Sequence, residues 1–154
     1  MALSMNQFSL EALKGMVDLK VGPANILACE VDSSSAGGLV PGQAVKIVSV
    51  VGGIPNVVEC SAASDDVFGF IAYDIKDSTV GPGDKIEVAF ARGSAMYMEA
   101  SAAVAANASV MIVLSGNKVA TATATNRIVG RALDRATGNG DLIRVIIDLP
   151  GAIA

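Results

Sequence analysis

The side chains of this chain that could perform chemistry are mainly carboxylates. The 154 residues include no histidine, which removes the usual general base, the usual metal ligand and every Ser-His or Cys-His nucleophile. Three aspartate pairs remain as candidates for acid–base chemistry or cation binding: Asp65 with Asp66, Asp74 with Asp77, and Asp134 with Asp141. Each lies near a predicted turn, where aspartate commonly accepts hydrogen bonds from backbone N–H groups. We therefore interpret them as turn residues and predict no catalytic residue, no cofactor and no metal site.

The remaining nucleophiles lack an activating neighbour. Cys29 and Cys60 each lie in a predicted strand with no adjacent cation, and it is a nearby positive charge that makes a thiol reactive. In a reducing compartment both are expected to be buried free thiols. A disulfide between them is possible only if their strands are neighbours. The run Gly138–Asp141 joins two predicted strands, so it is a turn and not a phosphate-binding loop. An enzyme that uses carboxylates alone stays open as an alternative.

The composition excludes some partners and suggests another. Hydrophobic residues make up 52% of the chain and charged residues only 17%, against about 25% charged in ordinary domains. This surplus predicts a subunit interface. The net charge of −4 and the 11 scattered Lys and Arg residues argue against a nucleic-acid partner. No apolar run approaches the ~18 residues of a membrane span, and Met1–Gln7 lacks the character of a signal peptide, so we expect no membrane partner and synthesis in the cytoplasm.

A repeat organises much of the sequence. The run Gly83–Val88 recurs as Gly140–Val145, and Phe68–Ala72 before the first copy resembles Val129–Leu133 before the second. Looser echoes begin at Gly42 and Asn107. A Gly-Asp turn that leads into an alternating strand is therefore used at least twice.

Alternation of apolar residues and Gly- or Asn-containing turns predict about ten short strands, a pattern typical of a small antiparallel β-barrel or sandwich. Gly52-Gly53 between two of these strands predicts a tight hairpin. The predicted strands are Ile26–Val31, Ala44–Val51, Ile54–Cys60, Val67–Ile75, Lys85–Ala91, Ala95–Glu99, Val110–Leu114, Val119–Thr125, Ile128–Ala136 and Leu142–Leu149. We assign residues 26–154 to this all-β domain.

Residues 1–25 differ from the rest and are predicted to form an N-terminal arm. Ser9 could cap a short helix, and Leu10, Leu13, Met16 and Val17 would then share one face. An apolar face of this kind docks on its own domain or on a neighbour. The candidate contact residues of the arm are Phe8, Leu10, Leu13 and Met16.

The order and spacing of these blocks resemble the capsid cement, or decoration, proteins of tailed bacteriophages. The resemblance spans residues 39–149. It rests on five blocks: Leu39–Lys46, Phe68–Ile71, Gly83–Val88, the Ala-rich stretch that leads into Val110, and Val129–Leu133 followed by Gly140–Leu149. Residues 1–25 match no block of the family.

The resemblance implies a non-enzymatic virion protein that binds the exterior of an assembled capsid. Its partners would be the major capsid protein and itself, as a homotrimer, and it would stabilise contacts between capsid subunits. Two other interpretations stay open: a β-rich binding module of the lectin or receptor-binding kind, although the chain has few aromatic residues, and another subunit of head or tail assembly.

Overall fold

The computed structural model describes residues 12–18, 25–73, 79–90, 92–151 and 153–154. This part of the chain is all-β, as the sequence predicts, with ten strands and no helix. The strands are β1 Ile26–Val31, β2 Ala44–Val51, β3 Ile54–Glu59, β4 Gly69–Ile71, β5 Lys85–Ala89, β6 Ala95–Glu99, β7 Ser109–Val113, β8 Lys118–Thr121, β9 Gly130–Ala132 and β10 Leu142–Ile147. These residues include no helix with the length and hydropathy of a membrane span.

Several strands are shorter than predicted. The largest differences are at β4, predicted over Val67–Ile75, and at β9, predicted over Ile128–Ala136. Bonding to the neighbouring strands continues one residue past each end of β4: Phe68 N–H donates to Val45 O at 2.9 Å and Ala72 N–H to Glu87 O at 2.9 Å. Beyond these points, Val67 is buried by packing and not by strand pairing, and Tyr73 is 37% exposed. A run of apolar residues indicates which residues are buried and not how many of them pair with a neighbouring strand. It therefore overestimates the length of short strands.

The strands form two five-stranded units. Strands β1–β5 close into a barrel in the order β1-β3-β2-β4-β5, and we call this barrel the first unit. Strands β6–β10 form a sheet in the order β6-β10-β9-β7-β8, the second unit. Its two edge strands are linked by a single parallel bridge between Ala100 and Val119. The first unit has a parallel pair, β1 with β3, at the corresponding place.

The two units are copies of one topology, in which each strand βn of the first unit corresponds to β(n+5) of the second. The match extends to individual residues, since Cys29 pairs with Ile86 as Met98 pairs with Ile143. Loop hydrogen bonds repeat as well: Gly83 N–H donates to Val31 O at 2.8 Å, and its counterpart Gly140 N–H donates to Ala100 O at 2.8 Å. The sequence repeat is therefore one strand-and-turn part of a whole duplicated unit.

Each unit has an interior made of equivalent residues. The first interior contains Cys29, Val31, Leu39, Val45, Val57, Ile71, Ile86 and Val88. By register, their counterparts in the second unit are Met98, Ala100, Val104, Val110, Val119, Ala132, Ile143 and Val145, all buried. Inward-facing residues alternate with outward-facing ones along each strand. Every second residue therefore faces the interior, at corresponding positions in both units.

The units pack side against end. Five residues on the outer face of the first unit, which we call its wall, share one buried cluster with four residues at an end of the second interior, which we call its mouth. The wall consists of Ala44, Cys60, Phe70, Ala72 and Ala89, and the mouth of Met96, Ile112, Val129 and Ile147. Ile112 lines a small cavity together with Ala44, Cys60 and Phe70. The wall of one unit thus closes the open end of the other.

The described part of the arm, residues 12–18, is not helical. Met16 N–H donates to Leu13 O at 3.0 Å in a turn at Gly15, whose φ is +85°. The chain then runs antiparallel to β6, with Gly15 N–H donating to Tyr97 O and Asp18 N–H to Ala95 O, both at 2.8 Å. The predicted short helix is wrong over these residues, because the unpaired edge of β6 offers backbone partners that compete with a helix interrupted by glycine.

Candidate interaction surface

The two neighbouring aspartates Asp65 and Asp66 do not form a catalytic pair. The Asp65 carboxylate accepts hydrogen bonds from Ser61 N–H at 2.7 Å, Ala62 N–H at 3.1 Å and Lys46 Nζ at 3.0 Å. Asp66 lies on the surface and forms an ion pair with Arg127 at 3.6 Å. Shared-proton chemistry needs two carboxylates in contact with each other. Here each carboxylate has its own separate partners.

Asp134 and Asp141 are likewise held apart by different partners. Asp134 binds the Arg144 guanidinium through two contacts of 2.7 and 2.8 Å, and these lower the pKa of Asp134. Asp141 accepts from Thr137 N–H at 2.7 Å and from Gly138 N–H at 3.2 Å. It is the turn residue that the sequence predicts. Asp74 and Asp77 lie outside the described residues.

Asp65 is expected to make stability depend on acidity. Burial raises its pKa, but the hydrogen bonds from Lys46 and the two N–H groups outweigh burial and lower the pKa to about 2. Because the folded-state pKa lies below the unfolded value of about 3.9, the stabilisation is complete above pH 4 and is lost as the pH falls through about 2. We expect Asp65→Asn to lower the free energy of unfolding by about 1 kcal/mol at pH 7, with the difference from wild type vanishing below pH 2.

Thermal unfolding between pH 7 and pH 2 measures this effect. The matched control is Asp148→Asn, since Asp148 pairs with Arg92 on the open surface and exposed pairs contribute little. An Asp65→Asn difference that stayed constant down to pH 2 would contradict the assigned hydrogen bonding.

Both cysteines are buried free thiols, as predicted. They lie in different environments, with Cys29 inside the first unit and Cys60 on its wall. Burial, together with nearby Asp65, raises the pKa of Cys60 to about 12. Burial also raises the pKa of Cys29. A thiol that stays protonated at neutral pH is a poor nucleophile, so the two side chains act as core residues.

A cleft of about 280 Å³ lies beside the first unit. Its floor is aliphatic, including Leu39, Ile71 and Ile86, and Lys85 and Glu87 also line it. A small-molecule site usually places several convergent polar groups over an apolar floor. Two exposed side chains of opposite charge do not make such a set.

The hairpin β2–β3 carries the two most exposed large apolar side chains of the described residues. Val50 and Val51 are 62% and 63% exposed, and Val48 beside them is 47% exposed. The tip is Gly52-Gly53, with φ of +59° and +80°, the conformation of the tight turn predicted there. The register shifts between Ile47 and Ser49, so β2 bulges before the tip, and a bulge bends a strand and increases its twist. The apolar end of the hairpin therefore lies outside both interiors.

Comparison with the second unit shows that the end of this hairpin is an addition to the shared fold. Its counterpart β7–β8 has a five-residue first strand, against eight residues in β2. The extra length is where Val48, Val50 and Val51 lie. Contiguous exposed apolar residues commonly mark interaction sites. The sequence did contain a signal, since apolar residues on both faces of a strand end beside a Gly-Gly turn, but its exposure could not be read from the pattern.

The contact residues predicted in the N-terminal arm are not part of this hairpin. Leu13 is 42% exposed and Met16 is half-buried. The arm contacts both units at Gly15, whose N–H donates to Tyr97 O and whose carbonyl accepts from Tyr73 N–H at 2.9 Å. Phe8 and Leu10 lie outside the described residues. The proposed contact role of all four residues stays a prediction.

Comparison with known proteins places this two-unit fold among bacteriophage proteins. The fold is similar to the crystal structure of the head fiber gp8.5 N base in bacteriophage phi29, with a TM-score of 0.51 and 12% sequence identity over 80% of this chain and 95% of that one. No curated protein sequence matches the chain. Residues 6–147 match the family model of the XM1 gp53 minor capsid protein. Because the match covers nearly the whole sequence, the chain belongs to the XM1 gp53 minor capsid protein family.

Proposed function

We propose that this phage protein binds the outer surface of the capsid as a homotrimer and stabilises contacts between major capsid protein subunits. The observation that carries this proposal is the exposed apolar end of hairpin β2–β3 on a protein of a minor capsid family. A stabilising protein needs a rigid scaffold and an apolar contact surface. The ten-stranded body and its projecting hairpin supply both.

The hairpin would make the contact through its valines. Full burial of a valine side chain contributes about 1.5 kcal/mol or more, and Val50 and Val51 are both more than 60% exposed. Several copies on one particle raise the effective concentration of each weak contact. The arm, with Phe8, Leu10, Leu13 and Met16, is proposed as a second contact with the shell or with a neighbouring copy.

Co-sedimentation with mature shells that lack this protein tests the proposal. We expect saturable binding at a fixed ratio to the major capsid protein, and shells that survive more heat once it is bound. Replacing both valines, Val50→Lys with Val51→Lys, should weaken binding by about 10-fold or more, because two apolar contacts are lost and two charges would have to be desolvated. The matched control is Leu114→Lys, at the corresponding hairpin of the second unit, where the side chain is 41% exposed.

The outcomes distinguish a wrong contact surface from a wrong function. If neither the double valine replacement nor Leu114→Lys weakens binding, the contact lies on another surface. Deletion of residues 1–11 is then the next variant. Absence of binding to mature shells at any concentration would refute the capsid role.

A second candidate is the base of a head fibre, supported by the fold similarity to the phi29 head fiber N base. Both candidates predict attachment to the capsid. They differ in the effect on heat stability, since a fibre base anchors a distal protein and need not reinforce the shell. Shells that bind the protein with no gain in heat resistance would favour the fibre base.

A further inference from the structure

The duplication shows that the first unit has a mouth of its own. By register and loop bonding, the mouth residues Met96, Ile112, Val129 and Ile147 of the second unit correspond to Leu27, Ile47, Phe68 and Phe90 of the first. Leu27 is 36% exposed and Ile47 40% exposed, whereas Met96 and Ile112 are buried. The two phenylalanine rings stack with centroids 5.5 Å apart and planes 9° from parallel.

This first mouth opens into a cleft of about 400 Å³ that is lined by Ile47, Phe68 and Phe90, with Asp66 and Lys46 among its charged residues. Leu149 and Pro150 line part of the cleft. Among the described residues, no wall covers this mouth in the way that the first unit covers the second. An apolar, partly aromatic end of a barrel is thus left facing outwards.

The second unit has the matching wall. The residues that correspond to Ala44, Cys60, Phe70, Ala72 and Ala89 are Ser109, Ala122, Arg131, Leu133 and Ile146. Ser109 and Ala122 are small, like their counterparts in the first wall, whereas Leu133 and Ile146 are larger apolar residues at positions where the first wall has alanine. Arg131 takes the position of Phe70. Arg131 is exposed and the other four are half-buried.

We propose that the mouth of the first unit receives the second-unit wall of another copy of this chain. The packing between the two units inside one chain would then be repeated between chains. The inference rests on the self-association included in the proposed function, and it does not depend on binding to the capsid.

The aromatic residues of the first mouth suit the arginine that takes the position of Phe70 in the second wall. Phe70 faces an aliphatic mouth with Val129 and Ile147, whereas the mouth proposed for Arg131 holds the stacked rings of Phe68 and Phe90. A guanidinium packs favourably on an aromatic face. An acid is also present, since Asp66 lines the cleft, its side chain is 78% exposed, and its ion pair with Arg127 within the chain is a long one of 3.6 Å.

The geometry also sets the kind of assembly. A wall that binds a different surface, the mouth, is a head-to-tail contact, and such contacts produce closed rings or open filaments. Three copies in a ring would place six similar units around one axis. Every mouth in that ring would be covered, including those that already are covered within a chain.

Light scattering and sedimentation of the purified full-length protein, without capsids, test the inference. We expect an oligomer, and we expect Arg131→Glu to weaken the association by about 30-fold or more, because it places a second acid beside Asp66. The matched control is Arg135→Glu, an exposed arginine outside the wall, which should leave the association unchanged. Thermal unfolding of each variant verifies that it is folded.

Disulfide trapping then tests the orientation. Asp66→Cys and Arg131→Cys are prepared as separate proteins, and the wild type with its buried Cys29 and Cys60 is the background. Under mild oxidation, we expect a cross-linked dimer only when the two variants are mixed. Cross-links within either variant alone, or an oligomer that Arg131→Glu does not weaken, would refute the head-to-tail contact.

A protein that stays monomeric at all concentrations would also overturn the inference, and would mean that the chain's own residues or another partner cover the mouth. The proposed function is separable from this result. A monomer that still binds shells would leave the capsid role in place, and an oligomer that binds none would leave this interface in place.

Discussion

Replacing Gly130 by alanine is expected to lower the free energy of unfolding by about 3 kcal/mol. A Cβ at this position would overlap Ile146 O and would lie 2.7 Å from a Val145 methyl group. Neither atom can move away easily, because Ile146 O belongs to the backbone of β10 and Val145 is fully buried. The strands β9 and β10 would have to separate, which disrupts the interior of the second unit.

Calorimetry measures this effect, and the expected loss corresponds to a fall in Tm of about 6–12 °C for a chain of this length. The matched control is Gly138→Ala, since no atom lies within 4 Å of a Cβ there and its φ is not positive. That change should stay within about 0.5 kcal/mol of wild type. The duplication predicts the same penalty at Gly69, where the corresponding distances to Ala89 O and Val88 Cγ1 are both 2.6 Å. A Gly130→Ala protein as stable as the control would mean that β9 and β10 are not packed this closely.

Phe70→Ala is expected to cost about 3–5 kcal/mol of unfolding free energy. Phe70 is 1% exposed and is the largest side chain of the wall that closes the second unit. Its removal would leave a cavity between two units that are held together by this packing. Both units should lose stability together, because the wall of one and the mouth of the other belong to one buried cluster.

Denaturant unfolding of Phe70→Ala, followed by circular dichroism, measures the loss. Leu114→Ala is the control, since Leu114 is 41% exposed and its truncation should cost well under 1 kcal/mol. If Phe70→Ala split unfolding into two transitions, the units would be independent domains joined by this contact. If stability were unchanged, the side-against-end packing described here would be wrong.

Local features were predictable because they depend on a few neighbouring residues. Gly52-Gly53 sets a tight turn since both positions need a positive φ, which glycine adopts without strain. Asp141 binds its own turn, and the alternation of Ile86 and Val88 fixes which side of β5 faces inwards. These features sufficed to identify an all-β chain of ten strands without a histidine-based active site.

The prediction failed where a distant segment decides the conformation. The arm has an apolar pattern compatible with a helix at Leu13 and Met16, but Gly15 adopts a positive φ and the chain pairs with β6 instead. Likewise, Val50 and Val51 have the composition of buried strand residues, and only the bulged hairpin shows that they are exposed.

By itself, the sequence determined the β-class, the turns, the strand faces and a partial repeat, because each of these follows from side-chain chemistry and spacing over a few residues. The tertiary structure decided that the repeat is a complete duplicated unit and that Phe70 is covered whereas the stacked pair Phe68 and Phe90 is open. The physical reason is that alternation shows which side chains leave a strand on the same side. What covers that side is decided by a surface far away in the sequence, or on another molecule.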